Sequence, residues 1–80
     1  MVTLYGRQGC HLCDEARSGL QGLAAEGHRF ELRELDIDSD EALHRELLEL
    51  IPVVEVEGER ICELLLDADA IVGRLATVKR

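Results

Sequence analysis

The sequence predicts an α/β domain in which a mixed four-stranded sheet is flanked by helices. Short β-rich runs alternate with longer stretches of helical periodicity, a helix separates the first two strands, and only a short turn separates the last two. A strand–helix–strand unit makes its strands parallel, whereas a tight turn makes them antiparallel. The expected element order is β-α-β-α-β-β-α, within a single domain of residues 1–80.

The first strand and the first helix are joined by a glycine-containing loop. Residues 2–5 are β-rich, and apolar residues then recur with helical spacing over 12–24. Gly27 is suited to end this helix, because glycine readily adopts the left-handed conformation found just past a helix. Gly19 and Gly22 lie inside the predicted helix, where each costs about 1 kcal/mol relative to alanine.

The second strand and second helix follow. Residues 30–37 predict a strand whose apolar residues change face between Leu32 and Leu35, through either a bulge or burial on both faces. The polar side chains of residues 38–40 are candidate caps for a helix over 40–49. The expected apolar positions of this helix are Leu43, Leu47, Leu48 and Leu50.

The last two strands form a predicted hairpin. The dipeptide 51–52, Ile-Pro, ends the second helix, because the residue before a proline avoids helical geometry. Residues 53–56 then predict a third strand, and 61–65 predict a fourth strand beyond a turn at 57–59.

The final helix has candidate polar groups at both ends. Asp67 or Asp69 is suited to cap its N-terminus, and Lys79 and Arg80 complement the negative end of its dipole. Its predicted apolar face consists of Ile71, Val72, Leu75 and Val78.

The composition narrows the function. Apolar residues make up 46% of the chain, and 17 acidic against 9 basic residues give a net charge of −8. Such a chain repels nucleic-acid phosphates and anionic membranes. No apolar run approaches the ~20 residues that a membrane span needs, and the N-terminus does not resemble a signal peptide. We therefore expect a cytoplasmic monomer that binds neither nucleic acid nor membrane.

A Cys-x-x-Cys pair lies where the first strand gives way to the first helix. A helix N-terminus stabilises an anion, which lowers the pKa of a thiol such as that of Cys10. Cys13 lies nearly one turn further on the same face, so the two sulfurs can meet in a disulfide. The expected chemistry is thiol–disulfide exchange, with Cys10 attacking a substrate disulfide and Cys13 resolving the mixed disulfide. Arg7 and His11 would add positive charge near the thiolate.

Other functions remain open at this point. A zinc or iron–sulfur binding module is one alternative, but Cys62, His28 and His44 are not at metal-ligand spacing, and we expect no metal. The other alternative is an interaction domain in which the cysteine pair is a redox switch without turnover. Cys62 is expected to be a buried apolar residue on the fourth strand, with a third redox role as its alternative.

Two motifs together resemble glutaredoxins, which have the thioredoxin-like fold. They are the run from Val2 to Cys13, with its Cys-x-x-Cys loop, and the run Ile51-Pro52-Val53 at the entry to the third strand. The resemblance covers essentially the whole chain. It implies a thiol–disulfide oxidoreductase with Cys10 and Cys13 as catalytic residues, and a cis peptide bond before Pro52.

The resemblance also implies ligands and partners. Substrate contacts are expected at Arg7, His11, Leu12, Ile51, Pro52 and Val53, with the Ile51 backbone hydrogen-bonded to an extended substrate. The substrates would be disulfides of proteins or of small thiols. Glutathione, another low-molecular-weight thiol or a reductase would be the electron donor, with no cofactor bound.

The chain departs from glutaredoxins at two places. Between the cysteines, this chain has His11-Leu12 instead of Pro-Tyr. Where glutaredoxins have Gly-Gly after the fourth strand, it has Cys62-Glu63. The fourth strand of this chain is expected to continue to Asp67. This pattern is similar to a short glutaredoxin-like branch. Candidate glutathione contacts are Arg7, Val53 and Asp69.

Overall fold

The computed structural model describes residues 1–78. The predicted role of Lys79 and Arg80 lies outside the described residues, as does that of the Val78 side chain. The predicted element order is confirmed, with a short 3₁₀ turn added after the second strand. The elements are β1 (Val2–Gly6), α1 (His11–Ala25), β2 (Leu32–Asp36), the 3₁₀ turn (Ile37–Ser39), α2 (Glu41–Leu47), β3 (Val53–Val56), β4 (Glu59–Glu63) and α3 (Ala68–Val78).

The four strands form one mixed sheet in the order β2-β1-β3-β4. β1 runs parallel to β2, as expected for strands joined through a helix, and antiparallel to β3. β3 and β4 form the predicted antiparallel hairpin. β1 and β3 are therefore the central strands. Since the first turn of α1 begins just after β1, the Cys-x-x-Cys pair lies at the end of a central strand.

Each face of the sheet has its own apolar cluster. Because side chains alternate along a strand, Val54 and its neighbour Val53 face opposite sides. The first cluster, below α1 and α3, contains Val2, Leu4, Ala16, Leu20, Leu23, Val54, Val56, Ile71 and Leu75. The second cluster, which packs against α2, contains Cys13, Ile37, Leu47, Ile51 and Val53. Cys13 is thus part of the packed interior.

The change of face in the second strand comes from burial on both faces. The register between β1 and β2 is continuous, so there is no bulge. Leu32 packs against the first cluster, whereas Leu35 lies beside Tyr5 on the other face. The predicted strand was too long at both ends, since β2 covers only Leu32–Asp36, and the fully buried Ile37 starts the 3₁₀ turn.

The second helix is shorter than the predicted 40–49. Asp40 is its N-cap, and its carboxylate accepts hydrogen bonds from the backbone N–H groups of Ala42 and Leu43. The helix ends at Leu47, which is the buried residue among its predicted apolar positions. Leu48 is exposed, so its assignment to the apolar face was wrong.

The fourth strand begins and ends earlier than predicted. Glu57 and Gly58 both have positive φ, which is the geometry of a two-residue hairpin turn, and β4 then covers Glu59–Glu63. A bulge opposite Val54 and Glu55 inserts one extra residue, so that Ile61 and Cys62 both pack partly against the first cluster. The strand ends at Glu63, so neither the predicted extension through 64 and 65 nor the expected continuation to Asp67 is present.

The two glycines inside α1 have different surroundings. A Cβ atom at Gly19 would overlap the Cδ2 atom of Leu66, whereas a Cβ at Gly22 would meet nothing within 4 Å. The absence of a side chain at Gly19 therefore lets the Leu66 side chain pack closely against α1. At the start of α3, the carboxylate of Asp67 accepts a hydrogen bond from the N–H of Ala70, so Asp67 is the capping residue of the two predicted.

Candidate functional site

Cys10 is the N-cap of α1. Its backbone is extended, and its sulfur accepts a hydrogen bond from the N–H of Cys13 at 3.1 Å. The preceding loop turns through Gly9, whose φ is +79°, and the N–H of Cys10 donates to the carbonyl of Arg7. An N-cap side chain satisfies helix N–H groups that otherwise lack a partner. The loop therefore places a sulfur in the position where capping oxygens usually lie.

Cys10 and Cys13 form a disulfide, with their Cα atoms 5.2 Å apart. Cys10 is half-buried, whereas Cys13 is 1% exposed and belongs to the second cluster. A Cβ at Gly6 would lie 3.1 Å from both Cβ and Sγ of Cys13, so the end of β1 packs closely against this residue. A reagent from solution therefore meets Cys10 first.

The segment 51–53 lies next to the cysteine pair, as the resemblance implies. Ile51 and Val53 share the second cluster with Cys13, and Cys10 packs against the same cluster. The peptide bond between Ile51 and Pro52 is cis, as expected. The N–H of Ile51 donates to the carbonyl of Leu47 at 3.1 Å. The expected hydrogen bond between the Ile51 backbone and an extended substrate therefore falls to the Ile51 carbonyl and stays a prediction.

Arg7 is held by a residue that the sequence analysis did not connect with the site. Its guanidinium is 3.2 Å from a carboxylate oxygen of Asp38, and the other oxygen of Asp38 is 3.5 Å from Nε2 of His44. Asp38 had been considered only as a helix cap. The charge of Arg7 is thus balanced locally, which reduces what it adds to the potential at Cys10.

His11 and Leu12 differ in their surroundings. His11 is strongly exposed, and its Nε2 is 2.7 Å from a carboxylate oxygen of Glu15, one helical turn further on. Leu12 is 39% exposed, which is unusual for a leucine in the first turn of an amphipathic helix. The two side chains between the cysteines therefore present one imidazole in contact with a carboxylate and one apolar surface.

Cys62 is a free thiol on β4, but it is half-buried rather than fully buried as expected. Burial raises the pKa of Cys62, and the Asp67 carboxylate adds to this, while a backbone hydrogen bond at Asp67 opposes it. Cys62 packs against the first cluster, whereas the cysteine pair belongs to the second. This placement separates Cys62 from the pair.

The expected counterpart of the glutaredoxin Gly-Gly was also misplaced. Cys62 and Glu63 lie inside β4, and the residues that follow the strand are Leu64 and Leu65. Leu64 has a φ of +69°, a conformation that glycine usually supplies. The remaining glutathione candidate, Asp69, is exposed in the first turn of α3.

A cavity of about 170 Å³ lies between the start of α1 and the ends of β1 and β2, and Cys13 is part of its lining. Its lining contains two positively charged residues, Arg7 and Arg17, and two negatively charged ones, Glu34 and Asp36. Arg17 also bridges the two elements, since it binds Asp14 on α1 and Glu34 on β2.

Two properties concern the described residues as a whole. Within residues 1–78, no group of three or more His, Cys, Asp or Glu side chains is placed to hold a metal ion. In the same part of the chain, no helix is long and apolar enough to span a membrane.

Comparisons with known proteins agree with this geometry. The family described as "Glutaredoxin-like domain (DUF836)" matches residues 1–76. Protein Ne2328 from Nitrosomonas europaea, solved by NMR, is similar at 36% identity with a TM-score of 0.79, over 91% of this chain and 87% of that one. Protein XcR50 from X. campestris, solved by X-ray crystallography, is similar at 30% identity with a TM-score of 0.76, over 96% of this chain and 97% of that one.

A more distant likeness concerns the fold alone. The crystal structure of a buckwheat glutaredoxin–glutathione complex is similar at 17% identity with a TM-score of 0.60, over 98% of this chain and 70% of that one. A comparison with curated proteins gives no match. Because the family match covers nearly the whole chain and the sheet and helices agree with it, this chain belongs to the glutaredoxin-like domain family and has the thioredoxin-like fold.

Proposed function

We propose that the protein is a thiol–disulfide oxidoreductase in which Cys10 is the attacking residue and Cys13 the resolving residue. One observation carries the proposal. The disulfide joins a half-buried N-cap cysteine to one that is 1% exposed, and the N–H of Cys13 points at the Cys10 sulfur. After reduction, the same N–H and the helix dipole would stabilise a thiolate at Cys10.

The reaction sequence follows from this accessibility. The Cys10 thiolate attacks one sulfur of a substrate disulfide, forms a mixed disulfide and releases the other sulfur as a thiolate. Cys13 loses its proton to solvent, attacks the Cys10 sulfur and releases the second substrate thiolate. Two electrons have then passed to the substrate, both substrate thiolates take up protons from water, and the Cys10–Cys13 disulfide has formed.

The cycle needs an external source of two electrons. We propose a low-molecular-weight thiol such as glutathione, or a reductase, as the donor, and disulfides of proteins or small thiols as substrates. The buckwheat neighbour is a glutaredoxin in complex with glutathione, which supports a small-thiol partner. A cytoplasmic monomer is the setting we propose for this activity, because the surface is acidic and the cytoplasm keeps thiols reduced.

Single cysteine variants test the proposal. Reduced protein is mixed with a small disulfide, and the products are identified by mass spectrometry after alkylation. Cys10→Ser should lose the reaction, and Cys13→Ser should stop at a mixed disulfide on Cys10. Cys62→Ser is the matched control and should react like the wild type. A Cys10→Ser protein that reduces the disulfide at the wild-type rate would end the proposal.

Metal content is measured on the same preparations, purified without chelators. The oxidoreductase proposal predicts protein with no bound metal and with free thiols after reduction. Stoichiometric zinc or iron that depends on Cys10 and Cys13 would instead support a metal-binding module.

A further inference from the structure

A groove lies between α1 and the segment that follows β4, and its lining includes Leu12, the residue that precedes Cys13. It has a volume of about 260 Å³. One wall comes from the first two turns of α1, and the other from residues 64–66. We call it the leucine groove, and its lining residues are Leu12, Glu15, Ala16, Leu64, Leu65 and Leu66.

The leucine groove is lined by several exposed leucines. Among residues 1–78, five large apolar side chains are exposed, and three of them line this groove. Leu12 is 39% exposed, Leu64 is 46% and Leu65 is 68%. Isolated apolar side chains on a surface are ordinary, but a contiguous group of them indicates a binding surface.

The wall formed by residues 64–66 is held in place by specific contacts. The N–H of Leu64 is shared between the carbonyls of Leu50, at 3.0 Å, and Pro52, at 2.9 Å. Leu66 packs over the backbone of α1 where Gly19 leaves space. The groove is therefore anchored to the segment of Pro52 on one side and to the helix of the cysteines on the other.

The electrostatics of the leucine groove favour a cationic occupant. Glu15 is the only charged residue in its lining, and its carboxylate also lies 2.7 Å from Nε2 of His11. The exposed acids Glu63, which pairs with Arg60, and Asp67 flank residues 64–66 in the chain. The protein as a whole has a net charge of −8. Glutathione is an anion and offers little apolar surface, so it matches neither property of the groove. A second copy of this chain would carry the same negative charge and be repelled.

We propose that the leucine groove binds a protein segment with an apolar side chain and a lysine or arginine beside its disulfide-bonded cysteine. This inference rests on the proposed function, because binding there brings the segment's sulfur to Cys10, two residues from Leu12. The apolar side chain is buried against the leucines, and the cation lies near Glu15. Recognition then comes from the protein substrate rather than from a small thiol.

Peptide substrates of matched length test the proposal. Each peptide carries one cysteine joined to 2-mercaptoethanol, and the flanking residues are Leu and Lys, Leu and Glu, or Ser and Lys. Glutathione disulfide is the fourth substrate. Each kcat/KM value is divided by the rate constant for dithiothreitol with the same substrate, which removes differences in intrinsic reactivity.

The wild type should prefer the Leu–Lys peptide over the Leu–Glu peptide by at least about fivefold, and Glu15→Gln should reduce that ratio. Leu65→Ser should lower kcat/KM for the Leu–Lys peptide about fivefold to tenfold, with a smaller loss for the Ser–Lys peptide. The matched controls are Glu41→Gln and Leu48→Ser, at exposed positions on or beside α2. They should change neither the preference for the Leu–Lys over the Leu–Glu peptide nor kcat/KM for the Leu–Lys peptide.

Three results would overturn the inference. They are equal normalised values for the three peptides, preference for glutathione disulfide, or an equal loss in Leu48→Ser. A concentration-dependent dimer that Leu65→Ser abolishes would place a second copy in the groove and also overturn it. If the wild type reduces none of the four substrates, the proposed function itself fails, and that outcome is distinct from reduction without preference.

Discussion

Replacing Gly19 and Gly22 separately with alanine tests whether the packing of residues 64–66 against α1 is as described. Both glycines lie inside the same helix, three residues apart, so the change in helix propensity is the same at each. The surroundings differ, because a new Cβ would overlap Leu66 at position 19 and would meet nothing within 4 Å at position 22. The pair is therefore its own control.

The expected magnitudes follow from these contacts. Alanine is better than glycine inside a helix by about 0.5–1 kcal/mol, so Gly22→Ala should raise the free energy of unfolding by that amount. Gly19→Ala receives the same gain, but the Cδ2 methyl of Leu66 must move, while its Cγ, 3.8 Å from the new Cβ, can stay in place. Moving a side chain away from a preferred rotamer costs about 0.5–1.5 kcal/mol, and its contacts with α1 are lost as well. Gly19→Ala should therefore be less stable than Gly22→Ala, and between about 0.5 kcal/mol more and about 1 kcal/mol less stable than the wild type.

Urea denaturation followed by circular dichroism measures both variants, and thermal unfolding should agree, with about 4–8 °C per kcal/mol for a chain of this size. A double-mutant cycle with Leu66→Ala isolates the contact. In the Leu66→Ala background, Gly19→Ala should become stabilising, because the overlapping atom is gone. If Gly19→Ala stabilises the wild type as much as Gly22→Ala does, Leu66 does not pack against Gly19 as described.

Three further predictions concern single groups. Burial, followed by the charge and hydrogen bond of Glu55, raises the pKa of Tyr5 above its ordinary value of 10.0. Ultraviolet titration of this sole tyrosine should therefore show phenolate forming at a higher pH than in a free tyrosine. The free energy of unfolding should fall as pH rises past 10.0, because the tyrosine of the unfolded chain ionises first. Because burial raises the pKa of Cys62 above 9.0, iodoacetamide should modify it more slowly than a free thiol at mildly alkaline pH. Gly6→Ala should lower the unfolding free energy of the oxidised protein by about 1–3 kcal/mol, since its Cβ would lie 3.1 Å from Cys13.

Each of these has a contrary result. A phenol that ionises at or below the ordinary value would contradict the first. Alkylation of Cys62 at the rate of a free thiol would contradict the second. An oxidised Gly6→Ala protein as stable as the wild type would contradict the third.

Local patterns in the sequence were sufficient for the order and type of the elements. Alternating and helical periodicities identified every strand and α-helix, and the three polar residues 38–40 before α2 included its cap, Asp40. The Cys-x-x-Cys pair at a strand–helix junction located Cys10 and Cys13 at the start of α1. These features depend on residues close together in the chain, which is why the sequence reveals them.

The parts that were wrong depend on distant contacts. Residues 64 and 65 are apolar and follow a strand directly, so they resemble its continuation, but hydrogen bonds from Leu64 to Leu50 and Pro52 turn the chain away. The leucine groove was missed for the same reason. The pairing of Arg7 with Asp38 was missed because Asp38 had a sufficient local explanation as a cap.

Gly19 offered a signal that local reasoning could have used. A glycine inside a helix is unfavourable on its own, which suggests that another segment passes close by. The sequence shows the cost but not which segment requires it, and the structure identifies Leu66.

The most direct test of the account is a redox titration of the wild-type protein in glutathione buffers, with alkylation and mass spectrometry at each point to locate free thiols. The dithiol mechanism predicts a single two-electron transition of Cys10 and Cys13, within the range of about −270 to −180 mV found for thiol oxidoreductases, with Cys62 remaining a thiol throughout. If Cys10 and Cys13 never form a mutual disulfide, or if Cys10 pairs with Cys62 instead, the dithiol mechanism is contradicted.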